Sequence, residues 1–356
     1  MGAQKFRVWA ADTAESLDDW TQALQNWPKA EVFADPLYVR LYEDSSCRAH
    51  CASLQSDDGT VLFPFLLRSI PDESGPDDRK ARCFDIVTPY GYGGPFFWDS
   101  QDSKALAKRF WTLFDEWAKS ADVVSEFIRF SLFGDSILPY PGTTEFKQDN
   151  VVRLLDLPED DMWMDFEHKV RKNVKKATRS GLEIVTDLNG ERFEDFFQIY
   201  VDTMDRREAG EGYYFTREYF KSIHRDLAGK FVYFHALLDG QVISTELVLL
   251  SKDSAYSFLG GTSSDAFSMR PNDLLKFEIM RWCQSSGRSN YVLGGGFEAE
   301  DGIFRYKLAF APHGRRPFSI GFRIHDDLRY EELVNSKAAL NERWQPIEGY
   351  FPVYRG

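Results

Sequence analysis

Residues 254–296 read SAYSFLGGTSSDAFSMRPNDLLKFEIMRWCQSSGRSNYVLGGG, the segment with the clearest secondary-structure signals in the chain. Its pattern predicts a strand at 254–261, a polar loop, a helix that begins near Pro271 and ends at Gly287, and a strand at 290–295. Proline favours the first turn of a helix because its missing N–H would have no partner there, and glycine favours the position just after the last turn. The order strand, helix, strand predicts a βαβ unit.

The residues before this stretch predict two helices and a hairpin. The helices fall at 191–207 and 216–228, where apolar residues recur with helical spacing. The segment 230–250 predicts two strands joined at Asp239 and Gly240, a dipeptide that favours a tight hairpin turn. The second half of the chain therefore combines a strand hairpin with a βαβ unit.

The first half shows a similar order. A hairpin arm is predicted around His50 to Gly59, a buried strand at 61–70, a helix at 103–121 and a strand at 125–133. The polar segment 70–81 is punctuated by Pro and Gly and predicts an exposed connection.

A chain of 356 residues is too long for one core. We therefore predict an α/β (α+β) protein with a first lobe at 1–155 and a second lobe at 156–330. Each lobe is expected to hold a mixed, mostly antiparallel sheet flanked by helices. Residues 331–356 predict a C-terminal helix and an aromatic tail.

The charge distribution limits the classes of partner. A net charge of −13 disfavours a general nucleic-acid binder, since neutralising phosphates needs a positive surface. One dense basic segment, 169–179, carries six cations. Such a segment is typical either of a solvated helix between domains or of a ridge that contacts tRNA. The six cations are Lys169, Arg171, Lys172, Lys175, Lys176 and Arg179.

The sequence patterns do not favour export, membrane anchoring or metal binding. The N-terminus carries acids where a signal peptide needs a basic flank, Met1 and Gly2 are followed by Phe6 where myristoylation requires Ser or Thr, and no apolar run is long enough for a bilayer. A cytoplasmic location is expected. The four cysteines lack the paired spacing of a zinc site, so no metal is proposed.

Several segments resemble the Fem-type (FemABX) peptidyltransferases and their relatives in the GNAT superfamily. They are 254–296 together with GIFRYKLAF at 302–310, the basic segment HKVRKNVKKATRSGLEI at 168–184, and TPYGYGGP at 88–95. The resemblance implies tandem GNAT-like lobes, with 168–184 leading into the second. It also implies a transferase that forms an amide bond on an amine acceptor, such as a peptidoglycan precursor in cell wall biogenesis.

The resemblance implies roles for individual residues. Lys307 matches a lysine near the reacting carbonyl, where an ammonium can stabilise a tetrahedral oxyanion. A surface lysine with a packed stem is the alternative. The predicted acceptor and phosphate contacts are Arg40, Thr203, Arg206, Arg207, Tyr213 and Tyr214, and helix-end arginines paired with nearby acids are their alternative. The predicted donor contacts are Tyr256, Gly260, Gly261, Thr262 and Asn272, for which a plain Gly/Ser surface loop is the alternative.

The donor class follows from a misplaced motif. Arg207 to Gly212 matches the R-x-x-G-x-G string that holds the diphosphate of acetyl-CoA, but it precedes the hairpin strands, and the loop after 254–261 lacks that glycine spacing. This departure favours a donor other than ordinary acetyl-CoA, such as an aminoacyl-tRNA. We expect no bound cofactor and an acyl donor, either aminoacyl-tRNA or acyl-CoA, as co-substrate. Candidate general bases are Glu246, Asp265 and Glu298.

Two other hypotheses stay open. One is an acyl-CoA-dependent N-acyltransferase in polysaccharide or lipid-linked synthesis. The other is a catalytically silent binding module with a GNAT fold.

Overall fold

The computed structural model describes residues 5–70, 83–341 and 343–356. Met1, Gly2 and the predicted connection at 70–81, except for Ile70, lie outside these residues. The chain divides into two compact units. The first comprises Met1–Trp27, Phe33–Lys147 and Phe318–Gly356, and the second comprises Pro28–Val32 and Gln148–Pro317.

The predicted division at 155/156 and the observed one at 147/148 differ. Residues 318–330 of the predicted second lobe, and all of 331–356, belong to the first unit.

The first part of the chain supplies seven strands and three helices among the described residues. They are β1 (Lys5–Ala10), α1 (Ala14–Gln25), α2 (Pro36–Arg40), β2 (Cys47–Ser56), β3 (Gly59–Ile70), β4 (Cys83–Val87), β5 (Phe96–Trp98), α3 (Ser103–Ser120), β6 (Val123–Arg129) and β7 (Thr143–Leu154).

The rest of the described chain supplies six strands and seven helices. They are α4 (Glu159–Asp165), α5 (His168–Arg179), β8 (Glu183–Asp187), α6 (Phe193–Arg206), α7 (Arg217–Asp226), β9 (Phe231–Leu238), β10 (Gln241–Leu250), β11 (Ser254–Thr262), α8 (Pro271–Ser285), β12 (Asn290–Gly294), α9 (Gly302–Leu308), β13 (Arg315–Ile324) and α10 (Asp327–Leu340).

Each unit is built on a mixed sheet. In the first unit the strand order is β1-β2-β3-β4-β6-β13, with β5 paired to β3, and only β4 and β6 run parallel. In the second unit the order is β7-β12-β11-β10-β9-β8, and only β11 and β12 run parallel. The prediction of mixed, mostly antiparallel sheets flanked by helices is therefore confirmed.

Local sequence explains the elements that frame the second unit. Asp239 and Gly240 both have positive φ, 50° and 82°, as a tight two-residue turn between β9 and β10 requires. Pro271 occupies the first turn of α8. Helix α5 buries Val170, Val174 and Ala177, which lie three or four residues apart and pack into the core of this unit.

Three further findings concern membrane-spanning helices, cysteines and metal ligands. No helix in the described ranges is long and apolar enough to cross a bilayer. All four cysteines are buried and unpaired, which agrees with ordinary packing. Within the same ranges, His, Cys, Asp and Glu form no group of three or more that is arranged to hold a metal ion.

Candidate active site

The parallel strands of the second unit separate and form a fork. Strands β11 and β12 pair at only three positions, from Ser254 opposite Asn290 to Tyr256 opposite Val292. Beyond Tyr256, strand β11 continues to Thr262 paired with β10 alone. The sheet therefore opens beside the C-terminal end of β12.

A buried polar cluster lies at the base of this fork. Lys276 on α8 donates hydrogen bonds from Nζ to Glu246 Oε2 at 2.6 Å, to Ser257 Oγ at 2.7 Å and to the Tyr291 hydroxyl at 3.2 Å. Tyr291 in turn donates to Glu246 Oε1. The side chains of Lys276 and Glu246 are only 6% and 4% exposed, so this is an ion pair removed from water.

Within this cluster the Tyr291 hydroxyl keeps its proton. Burial, and then the charge of Glu246, raises the pKa of Tyr291 well above its usual value, so this hydroxyl stays a donor. Glu246 accepts from two donors at once, and a buried carboxylate held in this way is fixed in position. Glu246 therefore belongs to the structural base of the fork, whereas Asp265 and Glu298, the other candidate bases, are exposed.

Lys307 lies on α9, which follows β12 after the loop 295–301. Its Nζ donates to the carbonyl oxygen of Gly295 at 2.6 Å, and its side chain is half-buried. Burial, followed by the nearby positive charge of Lys276, lowers the pKa of Lys307 from 10.5 to about 8, although Glu246 and Asp301 oppose the shift. Because Gly295 directly follows β12, its bond to Lys307 holds the ammonium beside the open side of the fork.

The loop whose carbonyl accepts from Lys307 contains two closely packed glycines, Gly295 and Gly296. A Cβ at Gly295 would lie 2.4 Å from Asn150 Oδ1 and 2.6 Å from Gln148 Nε2, and one at Gly296 would lie 2.2 Å from Asp301 Oδ1. Asp301 caps α9 by accepting from the Phe304 N–H at 2.7 Å. The acceptor carbonyl and the helix that carries Lys307 are thus tied together.

Three predicted acceptor residues, Thr203, Arg206 and Arg207, lie at the end of α6. Arg206 donates from Nη2 to Thr203 Oγ1 at 3.1 Å and to the carbonyl of Thr262 at 3.2 Å, and its guanidinium lies over the ring of Phe267. Arg207 is exposed and bonds to no described side chain. The structure therefore brings Thr203 and Arg206 together with Thr262, a residue predicted for the donor.

The two predicted acceptor tyrosines follow in an exposed 3-10 turn. Tyr213 and Tyr214 are 41% and 39% exposed, and the Tyr214 hydroxyl donates to Asp205 at 3.0 Å. The remaining residue, Arg40, ends α2 in the first unit, where its Nε lies 3.5 Å from Glu43. These roles stay predictions.

The predicted donor residues have structural contacts of their own. The Tyr256 hydroxyl is buried and donates to Glu31 at 2.6 Å. Gly260 and Gly261 lie within β11, where a Cβ would meet Thr245 O at 2.4 Å and Thr203 Oγ1 at 2.3 Å. Close packing of the chain on itself accounts for both glycines without a ligand.

The last two predicted donor residues flank the loop before α8. The hydroxyl of Thr262 lies 2.7 Å from Ser244 Oγ. Asn272 is half-buried in the first turn of α8. Asp273, next to it, is buried and accepts from Asn173 Nδ2 at 3.0 Å. Burial raises the pKa of Asp273 despite that bond.

Two cations of the basic segment, Arg171 and the exposed Lys175, contact residues of the preceding segment 163–166. Arg171 donates to backbone carbonyls of Met164 and Phe166, and Lys175 lies over Trp163. The other four cations recur every three or four residues along α5, are exposed, and share one side of the helix. We call them the basic stripe: Lys169, Lys172, Lys176 and Arg179.

Lys276 was not predicted from the sequence, although the sequence carries a signal for it. Lys276 is spaced three, four and seven residues from Ile279, Met280 and Cys283, all of which are buried. A lysine on an apolar helix face requires a buried partner. That partner is Glu246, and the spacing within α8 alone does not identify it.

Comparison with known proteins finds a family model that matches the segment holding the fork. Residues 164–308 match the family model for the acetyltransferase (GNAT) domain, a segment that includes the fork, the polar cluster and Lys307. No curated protein matches the sequence significantly.

Solved structures extend the likeness to most of the chain. The crystal structure of FemX has a TM-score of 0.64 at 14% identity, covering 89% of this chain and 98% of its own. The C-terminal domain (DUF2156) of a putative lysylphosphatidylglycerol synthetase from Agrobacterium fabrum has a TM-score of 0.51 at 15% identity, covering 89% and 93%. A tandem GNAT protein from the clavulanic acid biosynthesis pathway has a TM-score of 0.50 at 11% identity, covering 91% and 99%. At these identities the likeness shows the fold, which is the FemX-like tandem GNAT fold expected from the sequence.

Proposed function

We propose that this chain, with its FemX-like fold, transfers an acyl or aminoacyl group to an amine and so forms an amide bond. The observation that carries the proposal is the half-buried Lys307 ammonium, which Gly295 fixes at the open side of the fork. The fork is where two parallel strands leave a gap in the sheet, and it lies within the segment that matches the GNAT domain.

The chemistry requires positioning and one fixed charge. The neutral amine attacks the carbonyl carbon of an ester or thioester, a C–N bond forms, and the carbonyl oxygen becomes negative. When the intermediate collapses, the C–O or C–S bond breaks and the proton of the amine passes to the leaving group. An ammonium beside that oxygen stabilises the intermediate more than the ground state, which is the condition for raising kcat.

An aminoacyl-tRNA is the donor that the surface charges favour. The basic stripe lies on α5, which is joined to the first turn of α8 by the hydrogen bond that Asn173 donates to Asp273 at 3.0 Å. Asp273 itself places a buried carboxylate at that helix end, where it disfavours a second anion such as the diphosphate of coenzyme A. A polyanion bound along α5 with its reactive end at the fork agrees with both observations.

Reversing the charge of the basic stripe is expected to weaken tRNA binding. In the variant Lys172→Glu/Lys176→Glu/Arg179→Glu, the slope of log K against log salt should become shallower by about one for each lost phosphate contact. Filter binding of charged total tRNA across a salt series measures this. The matched control is Lys104→Glu/Lys108→Glu/Lys119→Glu on α3, which makes the same charge change on exposed residues. Equal slopes for the two variants would remove the stripe from the donor site.

A nucleotide-linked cell-wall precursor is the acceptor that the resemblance to FemX supports. The family resemblance assigns phosphate binding to Arg206 and Arg207, and a guanidinium pairs well with two phosphate oxygens. Arg207 is the better residue for a binding test because its guanidinium bonds to no described side chain. The guanidinium of Arg206 also donates to Thr203 and to the carbonyl of Thr262.

Replacing Arg207 by alanine is expected to weaken binding of UDP, used as the probe, by about tenfold or more while the melting temperature stays nearly constant. A charged hydrogen bond of about 1.5–3 kcal/mol accounts for this size. Isothermal titration gives the affinity. Arg225→Ala, an exposed arginine on α7 paired with Asp226, serves as control. Unchanged UDP affinity in both Arg206→Ala and Arg207→Ala would exclude this acceptor role.

Donor class and catalysis are tested together with hydroxylamine as a small amine acceptor. Hydroxamate formation is measured from total aminoacyl-tRNA and, separately, from acetyl-CoA and longer acyl-CoA thioesters. Acceleration with aminoacyl-tRNA supports the proposal in full. Acceleration with acyl-CoA alone supports the N-acyltransferase. No acceleration with any donor contradicts the transferase and leaves the binding module.

A further inference from the structure

Asn150 on β7 is only 3% exposed, yet its side-chain amide forms no hydrogen bond with any residue that the structure describes. Neither amide atom is among the fully enclosed, unpaired polar atoms of those residues, so the amide still reaches open space. Buried side-chain amides are nearly always paired with protein, ordered water or a ligand. The amide of Asn150 is therefore available to an atom that enters from outside.

The amide of Asn150 and the ammonium of Lys307 contact the same residue. Strands β7 and β12 are antiparallel, and Val151 pairs with Gly294, the last residue of β12. Asn150 therefore lies beside the next residue, Gly295, where a Cβ would be 2.4 Å from Asn150 Oδ1. The carbonyl oxygen of Gly295 accepts from Lys307 Nζ at 2.6 Å. With the standard dimensions of one residue between them, Asn150 Oδ1 lies within about 9 Å of the Lys307 nitrogen.

Asn150 points to the side of the sheet that α6 covers. Its neighbour Val151 packs into the core formed with α5 and α8. Side chains alternate along a strand, so Asn150 points to the opposite side. On β9, Tyr233 alternates with Phe234 of the same core, and its ring packs on Phe196 of α6 with centroids 4.8 Å apart. Helix α6 also carries three of the predicted acceptor residues, so these residues and the amide of Asn150 share one side of the sheet.

The proposed reaction needs a hydrogen-bond acceptor for the attacking amine. A neutral primary amine has two N–H groups, and its lone pair must point at the carbonyl carbon. The ammonium of Lys307 can only donate, Glu246 already accepts from two donors, and Asp265 and Glu298 are exposed. The side-chain oxygen of Asn150 is a neutral acceptor, so it can hold one N–H without removing the proton.

Building on the proposed transferase activity, we infer that the side-chain oxygen of Asn150 accepts a hydrogen bond from the attacking amine, beside the carbonyl that Lys307 polarises. The C–N bond forms while one N–H stays bonded to Asn150, and this hydrogen remains on the amide product. The other N–H supplies the proton that passes to the leaving group when the C–O or C–S bond breaks. The acceptor is therefore a primary amine, because a secondary amine has no second N–H to release.

The test compares hydroxylamine, a primary amine, with N-methylhydroxylamine, a secondary one, and uses aminoacyl-tRNA as donor. Wild type should prefer hydroxylamine by more than the uncatalysed reaction does. In Asn150→Leu, which removes the amide and nearly keeps the volume, kcat/KM for hydroxylamine should fall roughly 10- to 100-fold, because small errors in orientation cost that much. The KM for the donor should stay unchanged, and the preference between the amines should fall to the uncatalysed value. A merely structural amide would leave that preference intact.

A second variant, Asn150→Asp, keeps an acceptor oxygen at the same place whether the carboxyl is ionised or protonated. It should retain the preference for hydroxylamine, and it decides the question if Asn150→Leu does not fold. The control is Asn290→Leu, at the closed end of the fork, where the amide donates to Ser254 Oγ at 3.4 Å. Its kcat/KM should equal that of wild type.

Wild-type kcat/KM in Asn150→Leu, or loss of the amine preference in Asn150→Asp, overturns the inference. If Lys307→Met is inactive in that assay while Asn150→Leu behaves as wild type, only this inference fails. If wild type itself shows no turnover, the proposed function fails with it.

Discussion

Replacing Lys307 by methionine is expected to lower kcat by about a hundredfold or more while substrate affinities change far less. The loss of one preorganised donor from a developing oxyanion costs about 3–4 kcal/mol of transition-state stabilisation. Methionine is close to lysine in length and keeps an apolar stem, so the packing of this side chain is retained. Hydroxamate formation under single-turnover conditions measures the step directly.

The matched control is Lys337→Met. Lys337 also donates to backbone carbonyls, those of Tyr354 and Gly356 at 3.1 and 2.8 Å, but it belongs to the first unit. Its loss should leave kcat unchanged. If Lys307→Met turned over at the rate of Lys337→Met, Lys307 would be a structural lysine.

The ionisation of Lys307 predicts how kcat and stability depend on pH. With a pKa of about 8, the Lys307 ammonium is lost above pH 8, so kcat should fall along an alkaline limb centred there. The free energy of unfolding of wild type, compared with that of Lys307→Met, rises over the pH range in which kcat falls. Between pH 8 and 10.5 the unfolded chain binds more protons at this site than the folded chain, so wild type gains stability relative to Lys307→Met as pH rises.

Replacing Lys276 by methionine is expected to lower the free energy of unfolding by about 3–5 kcal/mol. The change leaves Glu246 buried without its counter-charge, and breaking a buried ion pair from one side is strongly destabilising. Urea denaturation monitored by tryptophan fluorescence gives the value. In the double variant Lys276→Met/Glu246→Gln, the charge disappears with its partner, and much of the stability should return.

Lys276→Met has a second readout that a structural role alone would not move. Because the charge of Lys276 lowers the pKa of Lys307, its removal should shift the alkaline limb of kcat above pH 8. A limb that stays near pH 8 would show that Lys276 does not act on Lys307. A stability equal to that of wild type would mean that Glu246 has found another donor.

Local signals predicted the elements that local physics fixes. The hairpin turn at Asp239 and Gly240 and the start of α8 at Pro271 were predicted because each depends on one or two residues. Strand β13 was missed. It is held by antiparallel pairing of Ile320–Ile324 with residues 125–129 on β6, far back along the chain, and no nearby residue signals that partner.

The candidate site was predicted only in part for the same reason. Lys307 followed from the family resemblance, and the structure adds its bond to Gly295 and its half-buried position. The pair of Lys276 and Glu246 joins a helix to a strand, and the buried amide of Asn150, unpaired among the described residues, is a property of packing. Neither can be read from spacing along the chain.

The chain returns to the first unit after completing the second, and this order affects folding during synthesis. Strand β6 obtains its outer neighbour β13 only after nearly the whole second unit has been synthesised, because residues 318–324 follow that unit. Until the ribosome releases that segment, one side of β6 exposes unpaired backbone groups that can join the edge of another nascent chain. Such distant pairings also slow folding, since a long loop must close first. Synthesis interrupted before residue 318 would thus yield a first unit that lacks its last strand and is prone to aggregation.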